Sequence, residues 1–515
     1  MPRPSLPVVG ADSQGAWGTK NNALWVDAHA SLDALTPLTG IVGGYALVAT
    51  SYSGVDPTGA TDSAVGLTTW MNAMSTQRRS GILPPGTYRL NQRIFVPSNV
   101  HFTAYGAKIE GYQADVSGGP TSMLNLWNVT DISIQGLELD GKKASYATAT
   151  EQRHNILCYG ATWVTLEDIY THDAKGDGFV AGKGASGQSA HLYAYRSRFD
   201  ANHRQGMSLT AALHCGFEDC AFTNTSGTPP ACGVDLETDL ADDLMYDIHF
   251  LRCLFDGNAG SGFLAAGRSA RTVEQASYTL TDCRITNNAE PNGGLVSWDA
   301  DYATIRRTHI ANNAGRGIYI VGTTKRTLID DCTVTGNAGD AAIKVRQIVG
   351  TTHHVIVRHS DVLANNSTYA VWFHADTAIR RAEISGSRLG DNSAQVGFVW
   401  TSGGNITSLL VADTEFRGLA AGVPIDFTGT PASLILRGNA GQFVTQNSGT
   451  ATVGDGGVIA HGLYPWIGPR RWGVTGSVAG QIVTATANGT NLTVAIKTGG
   501  GAAGSSQTVA WWAES

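Results

Sequence analysis

A repeated alternation of apolar and polar positions runs from the middle of the chain to about residue 430. Each copy has a short apolar stretch, a small or polar residue, an Asn-containing corner and a second apolar stretch that starts at Gly or a similar residue. Copies include FEDCAFTNT at 217–225, LTDCRITNN at 280–288 and LIDDCTVTGN at 328–337. They recur about every 23 to 33 residues, a period typical of repeat architectures, and the short alternating stretches predict a solenoid of β-strands.

Two positions of the repeat form columns of equivalent residues. The small or polar position holds Ile169, Ser197, Cys220, Cys253, Cys283, Thr308, Cys332, Ser360, Ser387 and Thr414. The Asn position holds Asn202, Asn224, Asn258, Asn288, Asn313, Asn337, Asn365 and Asn392. Because a solenoid stacks equivalent positions, each column is expected to form a ladder. The Asn residues are expected to occupy left-handed corners and to hydrogen-bond along the stack.

Both ends of the chain differ from the repeats in composition. Residues 1–49 form a unit of their own, with WGTKNNALW at 17–25. Residues 450–515 contain alternating runs separated by Gly-rich turns, which predict a small antiparallel β module, with a sandwich-like form. The repeats between these ends are expected to span 81–440.

Residues 50–80 are interpreted as a linker and a capping helix. Turn residues come first, and Asp62 or Ser63 stands where a helix N-cap belongs. The predicted helix carries an apolar face made of Val65, Leu67, Trp70, Met71 and Met74. Because the end of a solenoid exposes a layer of core, this helix is expected to cover the first coil.

Composition excludes several classes of protein. The chain has 515 residues, 63 glycines, 15% charged residues and a net charge of −7, which suits a Gly-punctuated β protein and gives no electrostatic basis for binding nucleic acid. No stretch is apolar enough for a membrane helix, and the N-terminus lacks the apolar segment of a secretory signal. The chain is therefore expected to be made in a cytoplasm and to have no membrane contact.

The seven cysteines are expected to be buried and reduced. Their number is odd, and four of them lie in the small-residue column of the repeat. The sequence has no CxxC or CxxH pair and no dense Asp cluster, so neither a metal nor another cofactor is expected.

Several motifs resemble those of a known superfamily. The pair GVDPTGATDS at 54–63 and GILPPGTYRL at 81–90 resembles the opening motif of the pectate-lyase-like right-handed parallel β-helix superfamily. RQGMSL at 204–209, followed by the stretch 217–237 that ends in GVDLE, resembles a signature of its polysaccharide-acting and tailspike members. The two terminal segments resemble attachment and distal modules of phage tail fibres and tailspikes.

The resemblance implies an all-β protein with a right-handed, single-stranded parallel β-helix of the pectin-lyase-like type. It also implies a phage tailspike or tail fibre, with a virion-attachment module at 1–49 and a distal module at 450–515 for trimerisation or receptor contact. The implied partners are tail or baseplate proteins of the virion, two further copies in a homotrimer, and a polysaccharide of the host surface.

The alternation within each second strand of the repeat predicts which residues face the core. Side chains alternate along a strand, so positions one and three after the strand start share one face, and positions two and four share the other. The predicted core pairs are Met207/Leu209, Val234/Leu236, Phe263/Ala265, Leu295/Ser297, Ile318/Ile320, Ile343/Val345, Val371/Phe373 and Phe398/Trp400. The predicted outward pairs are Ser208/Thr210, Asp235/Glu237, Leu264/Ala266, Val296/Trp298, Tyr319/Val321, Lys344/Arg346 and Trp372/His374.

The outward positions are predicted to form a groove for an elongated glycan. With rungs ~4.8 Å apart, Asp235 and Trp372 are separated by roughly 24 Å. Aromatic rings stack on sugars and cations pair with acidic groups, so Trp298, Tyr319, Lys344, Arg346, Trp372 and His374 are candidate substrate-binding residues. The alternative is that the rings pack against a neighbouring subunit or loop, and that Lys344 and Arg346 are ordinary solvated charges.

The candidate catalytic residues are Asp235, Glu237 and Asp177. Glycoside hydrolysis needs one protonated and one ionised carboxyl, and Asp235 and Glu237 lie two residues apart on one strand and therefore on one face. Asp177 is expected at the matching bend two coils earlier, and such crowding of acids raises a pKa. Arg204 and Gln205 are candidate residues for orienting substrate or the acids. The alternative for the acids is a structural contact between rungs, such as an ion pair with Arg204.

Two other functions remain open at this point. A polysaccharide lyase would abstract a proton with a basic residue, and Arg204, Lys344 or Arg346 could serve. A non-catalytic receptor-binding spike would use the same groove without cleavage. The sequence favours a hydrolase that acts at the host cell surface as part of the virion.

Overall fold

The computed structural model describes most of the β-helix and parts of the C-terminal region. The described residues are 46–111, 121–145, 152–267, 276–348, 351–393, 396–403, 405–418, 425–427, 431–441, 446–453, 458–460, 471–476, 481–487, 491–498 and 507–514. The predicted attachment module therefore lies outside the described residues except for its last four. Within the described ranges, no helix has the length and apolarity needed to cross a membrane.

The described residues between 46 and 441 form a parallel β-helix, which confirms the predicted fold. Each coil contributes one strand to sheet A and then one to sheet B, and every coil from the second, with β5 (Ile94–Phe95), to the last but one, with β41 (Ile425–Phe427), adds one to sheet C. Strands are numbered β1–β49 in chain order. All neighbours within these three sheets pair in parallel, so each coil covers the apolar interior of the previous one.

The strands of sheet A are β1 Ala46–Val48, β3 Ser80–Ile82, β6 Val100–Thr103, β9 Thr130–Gln135, β12 Thr162–Glu167, β15 Ser189–Tyr195, β18 Ala212–Glu218, β21 Met245–Leu251, β24 Ala276–Thr281, β27 Tyr302–Arg306, β30 Arg326–Asp330, β33 Thr351–Arg358, β36 Ala378–Ser385, β39 Ile406–Ala412 and β42 Ser433–Arg437. The strands of sheet B are β2 Thr58–Asp62, β4 Gly86–Leu90, β7 Ala107–Gly111, β10 Glu138–Asp140, β13 Tyr170–His172, β16 Arg198–Asp200, β19 Ala221–Thr223, β22 Leu254–Asp256, β25 Arg284–Thr286, β28 His309–Ala311, β31 Thr333–Thr335, β34 Asp361–Leu363, β37 Arg388–Gly390, β40 Glu415–Arg417 and β43 Ala440–Gly441.

The strands of sheet C are β5, β8 Thr121–Trp127, β11 Arg153–Tyr159, β14 Phe179–Gly182, β17 Met207–Leu209, β20 Val234–Glu237, β23 Phe263–Ala266, β26 Leu295–Trp298, β29 Ile318–Val321, β32 Ala341–Gln347, β35 Tyr369–Ala375, β38 Gly397–Ser402 and β41 Ile425–Phe427. Short 3-10 turns occur at Ala49–Ser51 and Lys143–Ser145. The first strands of sheets A and B thus lie ahead of residue 81, where the sequence predicted the first coil to begin.

Helix α1, Ala64–Gln77, caps the first coil as predicted. Leu67, Trp70, Met71 and Met74 are buried, and the Trp70 ring packs edge-on against Phe102 at 5.1 Å. Val65, which the sequence analysis placed on the same face, is exposed instead. Asp62 Oδ1 accepts a hydrogen bond from the N–H of Ala64 at 3.1 Å, so the helix start is capped by its side chain rather than by that of Ser63.

The interior is one continuous apolar cluster in which like residues stack from coil to coil. Phe199, Phe222 and Phe255 stack with ring centroids 4.9 and 5.3 Å apart, and each is fully buried. Burial of each ring contributes about 1.5–3 kcal/mol. All seven cysteines are buried and free of disulfides, which confirms the interpretation of the ladder cysteines as small apolar residues.

The Asn ladder is present, but its geometry differs from the prediction. From Asn258 to Asn365, the backbone N–H of each Asn donates to the Oδ1 atom of the Asn one coil further, at 2.9–3.1 Å. The left-handed residue is the one before each ladder Asn, for example Asn312 with φ 56°. The ladder Asn residues are therefore buried hydrogen-bonding groups rather than corner residues.

Asn224 does not belong to the ladder. The N–H of Thr225 donates to Asn258 Oδ1 at 3.1 Å, so Thr225 occupies the ladder position in this coil. Asn224 is the left-handed corner residue, with φ 56°, and its side chain donates to Asp200. The sequence analysis assigned the ladder residue of this coil one position too early, because Asn occurs both at the corner position and at the ladder position.

The C-terminal region forms two three-stranded antiparallel sheets within its described residues. One contains β44 Gln446–Val453, β49 Gln507–Glu514 and β46 Arg471–Gly476, and the other contains β45 Val458–Ala460, β48 Asn491–Thr498 and β47 Gln481–Ala487. The switch from parallel to antiparallel pairing agrees with the alternating pattern of the sequence.

Candidate functional site

The candidate site lies on the outer face of sheet C. The register places Ser208, Asp235, Leu264, Val296, Tyr319, Lys344, Trp372 and Trp400 in one column, each directly paired with the next. Asp235 and Trp372 therefore lie on the same side of the coil, as the alternation predicted. Trp372 packs in a small cluster that is separate from the interior core.

Trp400 lies in this outer column and not in the core, which corrects the sequence analysis. The sequence analysis aligned Phe398 with Val371, one residue out of register, whereas Val371 pairs with Val399 and Trp372 with Trp400. A shift of one residue moves a side chain to the other face of a sheet. Trp400 consequently stacks on Trp372, with ring centroids 3.9 Å apart.

The column is much less exposed than the sequence predicted. Asp235 is 0% exposed, Lys344 6% and Trp372 9%. The prediction that these three side chains meet solvent is wrong, because alternation fixes the face of a sheet but not what covers it.

Asp235 is held by a hydrogen bond from Gln205 in the preceding coil. Gln205 Nε2 donates to Asp235 Oδ2 at 2.8 Å, and Gln205 Oε1 accepts from the N–H of Cys232 at 2.9 Å. Gln205 is itself fully buried. The Oδ1 atom of Asp235 is buried and has no hydrogen-bond partner among the described residues.

Burial raises the pKa of Asp235 well above its usual range. Loss of hydration is the main cause, and the neighbouring carboxylate of Glu237 adds to it. Arg204 acts in the opposite direction, while Asp177 and Asp239 again raise the pKa. The structure thus brings the predicted acids and Arg204 into one electrostatic cluster.

Asp177 is buried beside His154 and Arg204. Arg204 donates to Asp177 Oδ2 at 3.1 Å, and the N–H of Asp177 donates to the His154 Nδ1 atom at 3.0 Å. Loss of hydration, with Arg204 nearby, lowers the pKa of His154 to about 3. His154 is therefore neutral and accepts at Nδ1. The sequence analysis did not select it, since no motif surrounds it.

Glu237 lies on the same strand as Asp235 but is exposed. Its column continues through Ala266, Trp298, Val321, Arg346 and His374. Trp298 is 49% exposed, two coils from Glu237. Of the predicted stacking residues, Trp298 is thus the one whose ring is widely accessible.

Two aromatic residues on the other side of Glu237 were missed by the sequence analysis. Trp127 and Tyr159 are paired on β8 and β11, with their rings 6.2 Å apart and nearly perpendicular, and Trp127 is exposed. Burial, followed by the charges of Asp239 and Asp177, raises the pKa of Tyr159. Tyr159 therefore borders the acid cluster. The phrase that marks the repeat is absent from these early coils, so alternation alone could have found the two rings.

Lys344 and Trp372 form a packed cluster four to five coils from Asp235. The Lys344 Nζ atom lies 3.3 Å from the Trp372 ring centroid and 2.7 Å from Asp340 Oδ2. Trp400 covers the opposite side of the Trp372 ring, and the Trp372 Nε1–H donates to Ser402 Oγ at 2.9 Å. These contacts fit the structural alternative that the sequence analysis left open.

The remaining predicted binding residues are partly exposed and carry contacts of their own. Arg346 lies 3.3 Å from Asp376, and His374 contacts the same carboxylate. Tyr319 packs under Arg316, whose Cζ atom is 4.5 Å from the ring centroid. These groups border the outer face several coils from the acids.

One group of potential metal ligands is found among the described residues, on sheet B. Asp140, His172 and Asp173 have ligand atoms within 4.8 Å of one another. Lys142 contacts Asp140 at 3.2 Å and Lys143 contacts Asp173 at 3.3 Å, so both carboxylates already have cationic partners. This arrangement does not favour a metal ion.

Comparison with known proteins supports the fold. A family model described as a right handed beta helix region matches residues 247–410. The tailspike protein gp49 from Pseudomonas phage LKA1 superposes with a TM-score of 0.59 and 12% identity over 91% of this chain and 99% of that chain. The tailspike gp61 from Pseudomonas phage phi297 gives a TM-score of 0.53 and 12% identity over the same shares.

An enzyme has the same fold. The A-module of mannuronan C-5 epimerase AlgE6 from Azotobacter vinelandii superposes with a TM-score of 0.56 and 15% identity over 77% of this chain and 99% of that chain. No curated protein matches by sequence. At these identities the likeness shows a shared right-handed β-helix, a fold found in both phage tailspikes and glycan-modifying enzymes.

Proposed function

We propose that this protein is a phage tailspike that binds a polysaccharide of the host surface and cleaves it by glycoside hydrolysis. One observation carries the proposal: Asp235, buried and with a raised pKa, lies beside the exposed Glu237 in a cluster bordered by aromatic rings. Two tailspikes with the same fold support the assignment to a phage spike, and a mannuronan C-5 epimerase with that fold supports the assignment of a glycan as ligand.

The two carboxyls have environments that suit different roles. Hydrolysis requires an acid that protonates the leaving oxygen and a carboxylate that activates water or attacks the sugar. Asp235 takes the first role because burial keeps its proton bound, and Glu237 takes the second because it is open to solvent. Since Asp235 is covered in the free chain, binding of the glycan has to uncover it.

The other polar residues of the cluster act as supports. Gln205 fixes the orientation of Asp235 through its 2.8 Å hydrogen bond, and Arg204 compensates the charge of Asp177. Trp127, Tyr159 and Trp298 supply rings on both sides of Glu237, where successive sugar units would stack. Lys344 and Trp372 take no part in binding, because Lys344 contacts Asp340 and the Trp372 ring, and Trp400 stacks on that ring.

Cleavage is tested with a panel of purified bacterial capsular and cell-wall polysaccharides. The protein is incubated with each, and products are analysed by mass spectrometry and ultraviolet absorbance. We expect saturated oligosaccharides, and their release should fall by about 10²–10⁴-fold in both Asp235→Asn and Glu237→Gln. Asp331→Asn, which changes an exposed carboxyl at a corner between sheets A and B, is the matched control. Undiminished release by both variants would refute the assignment.

A second candidate function is non-catalytic receptor binding. The full burial of Asp235 favours it, because binding needs the exposed rings and Glu237 but not the buried acid. The same panel separates the two functions: a pure receptor-binding spike retains glycan without producing fragments. An unsaturated product that absorbs in the ultraviolet would instead indicate a lyase.

The proposal includes assembly into a virion appendage. Residues 1–49 attach to tail or baseplate proteins, and three copies associate so that their long sheet faces are shielded by closed symmetry. The spike is made in the host cytoplasm and acts at the host cell surface. Light scattering of the full chain, which gives the mass of the assembly, tests the trimer.

A further inference from the structure

A second patch of aromatic and imidazole side chains lies on sheet A, outside the site described above. The patch runs along one column of adjacent coils: Trp163, His191, His214, Asp247, Ser277 and Tyr302. Since each coil passes through sheets A, B and C in turn, this column lies on a different face of the β-helix from Glu237. At ~4.8 Å per rung, it extends over roughly 24 Å.

The backbone of this column is left-handed at four of its six positions. Trp163, His191, His214 and Asp247 all have positive φ, between 54° and 59°. A left-handed conformation is uncommon for any residue with a side chain and rare for a bulky one such as Trp. Trp163 is 56% exposed, although the residues flanking it in β12 pack normally. A large ring is thus presented to solvent, where it contributes little to the core.

The exposed rings are ordered against one another. The rings of Trp163 and His191 stack at 4.0 Å with an interplanar angle of 11°, and the His191 and His214 rings follow at 5.3 Å and 16°. His214 Nδ1 lies 2.9 Å from Asp247 Oδ2, and His249 Nε2 contacts Asp247 Oδ1. The stack is therefore held in place before any ligand binds.

The stack leads into a recess with hydroxyl-rich walls. Its volume is about 360 Å³, and its lining includes Asp247, His249, Ser277, Thr279, Tyr302 and Thr304. That volume is within the range of small-ligand sites, about 300–1,000 Å³. Tyr302 is exposed and closes the far end of the column, with the Lys325 Nζ atom 6.0 Å from its ring centroid.

We propose that this patch is a second glycan-binding site, selective for neutral sugar units. Rings provide faces for stacking on sugars, and the Ser, Thr and Tyr hydroxyls, with the His249 imidazole and the Asp247 carboxylate, donate to and accept from sugar hydroxyls. The one carboxylate in the recess contacts His214 and His249, and the other lining residues carry hydroxyl, imidazole or apolar groups, which suits neutral sugar units. The choice of a surface glycan as ligand rests on the proposed function, whereas the site is independent of the acid cluster.

Such a site would hold the polymer while the acid cluster acts on it. Two attachment points on one chain convert the second binding event into an intramolecular one, which raises the overall affinity. A tailspike could then remain on the cell surface after each cleavage.

The test measures binding of full-length Glu237→Gln protein, which keeps its ligand uncleaved, to an array of bacterial surface glycans. In that background Trp163→Ala and Tyr302→Ala are each expected to lower the signal for glycans with neutral units by about two- to tenfold. Val65→Ala, which trims an exposed apolar side chain on helix α1 outside both glycan sites, is the control and should leave the signal unchanged.

Three results would overturn the proposal. They are an unchanged signal in both variants, binding to no glycan of the array, and a change of oligomeric mass in the variants, which would make the patch a contact between subunits. Loss of cleavage is scored separately with the wild-type protein. If the wild type releases no fragments but binding depends on Trp163 and Tyr302, the second site stands and the hydrolase assignment falls.

Discussion

Asp235 and Glu237 lie two residues apart on β20 and point to the same side of sheet C, yet Asp235 is fully buried and Glu237 is exposed. The two carboxyl groups thus lie on one face of the sheet but in surroundings of different polarity. Burial raises the pKa of Asp235 and so favours its protonated form, whereas the Glu237 side chain is open to solvent. This difference is the physical basis of the proposed chemistry.

The first prediction concerns the pH dependence of stability. The pKa of Asp235 is higher in the folded than in the unfolded chain, so its stabilising contribution is present at low pH and is lost as pH rises through the folded pKa. Asp235→Asn removes the ionisation, and its melting temperature relative to wild type should therefore increase with pH. Melting curves from about pH 4 to about pH 9 measure this. Asp331→Asn should show no such trend, and a parallel trend in both variants would contradict the interpretation.

A second prediction concerns the support of Asp235 by Gln205. Gln205→Ala leaves the N–H of Cys232 and one oxygen of Asp235 without a partner in a buried region. Each orphaned group costs about 1–3 kcal/mol, so the urea midpoint should fall. If Gln205 also positions the acid, kcat should fall while KM stays nearly unchanged. Restored kcat in Gln205→Glu at acidic pH would support positioning, and a variant with lower stability but wild-type kcat would limit Gln205 to a structural role.

Much of the fold was predictable because a solenoid repeats its local rules. The regular spacing of Cys253, Cys283 and Cys332 predicted a column of small residues. The Gly at the start of most second strands predicted how the strands of sheet C pair. The errors in assigning ladder residues and strand register arose where two neighbouring residues both fitted the pattern. Asn224 and Thr225 could each fill the ladder, and the sequence pattern aligned Phe398 with Val371 although Val399 is the paired residue, so Trp400 was assigned to the wrong face.

The candidate site was predictable only in part. Alternation placed Asp235 and Trp372 on the outer face of one sheet, but exposure depends on contacts between side chains that no periodicity encodes. Trp372 is covered by Lys344 and Trp400. Likewise, the alternation of β12, in which Val164 and Leu166 are buried, places Trp163 outward, but the sequence analysis considered only the second strand of each repeat.

A third prediction separates the two tryptophans that the sequence treated alike. Trp372→Ala removes a ring packed between Lys344 and Trp400 and should cost about 3–5 kcal/mol of stability. Trp298→Ala removes a half-exposed ring and should change stability by no more than about 0.5 kcal/mol while weakening glycan binding. Urea unfolding and glycan-array binding of both variants give the comparison. Normal stability of Trp372→Ala combined with lost binding would restore Trp372 as a glycan contact.

The last prediction tests the Asn ladder as a source of stability along the β-helix. Asn313 Nδ2 donates to Ile285 O at 3.1 Å and to Asn337 Oδ1 at 2.8 Å, and its Oδ1 accepts from Asn288. Asn313→Ala leaves these buried partners unpaired, and each should cost about 1–3 kcal/mol. Because neighbouring coils share the ladder, hydrogen exchange should increase in the coils on both sides of residue 313. Asn366→Ala, at an exposed position next to the ladder, is the control and should leave exchange unchanged. Equal exchange in the two variants would show that stacked side-chain amides add nothing to the backbone pairing of the sheets.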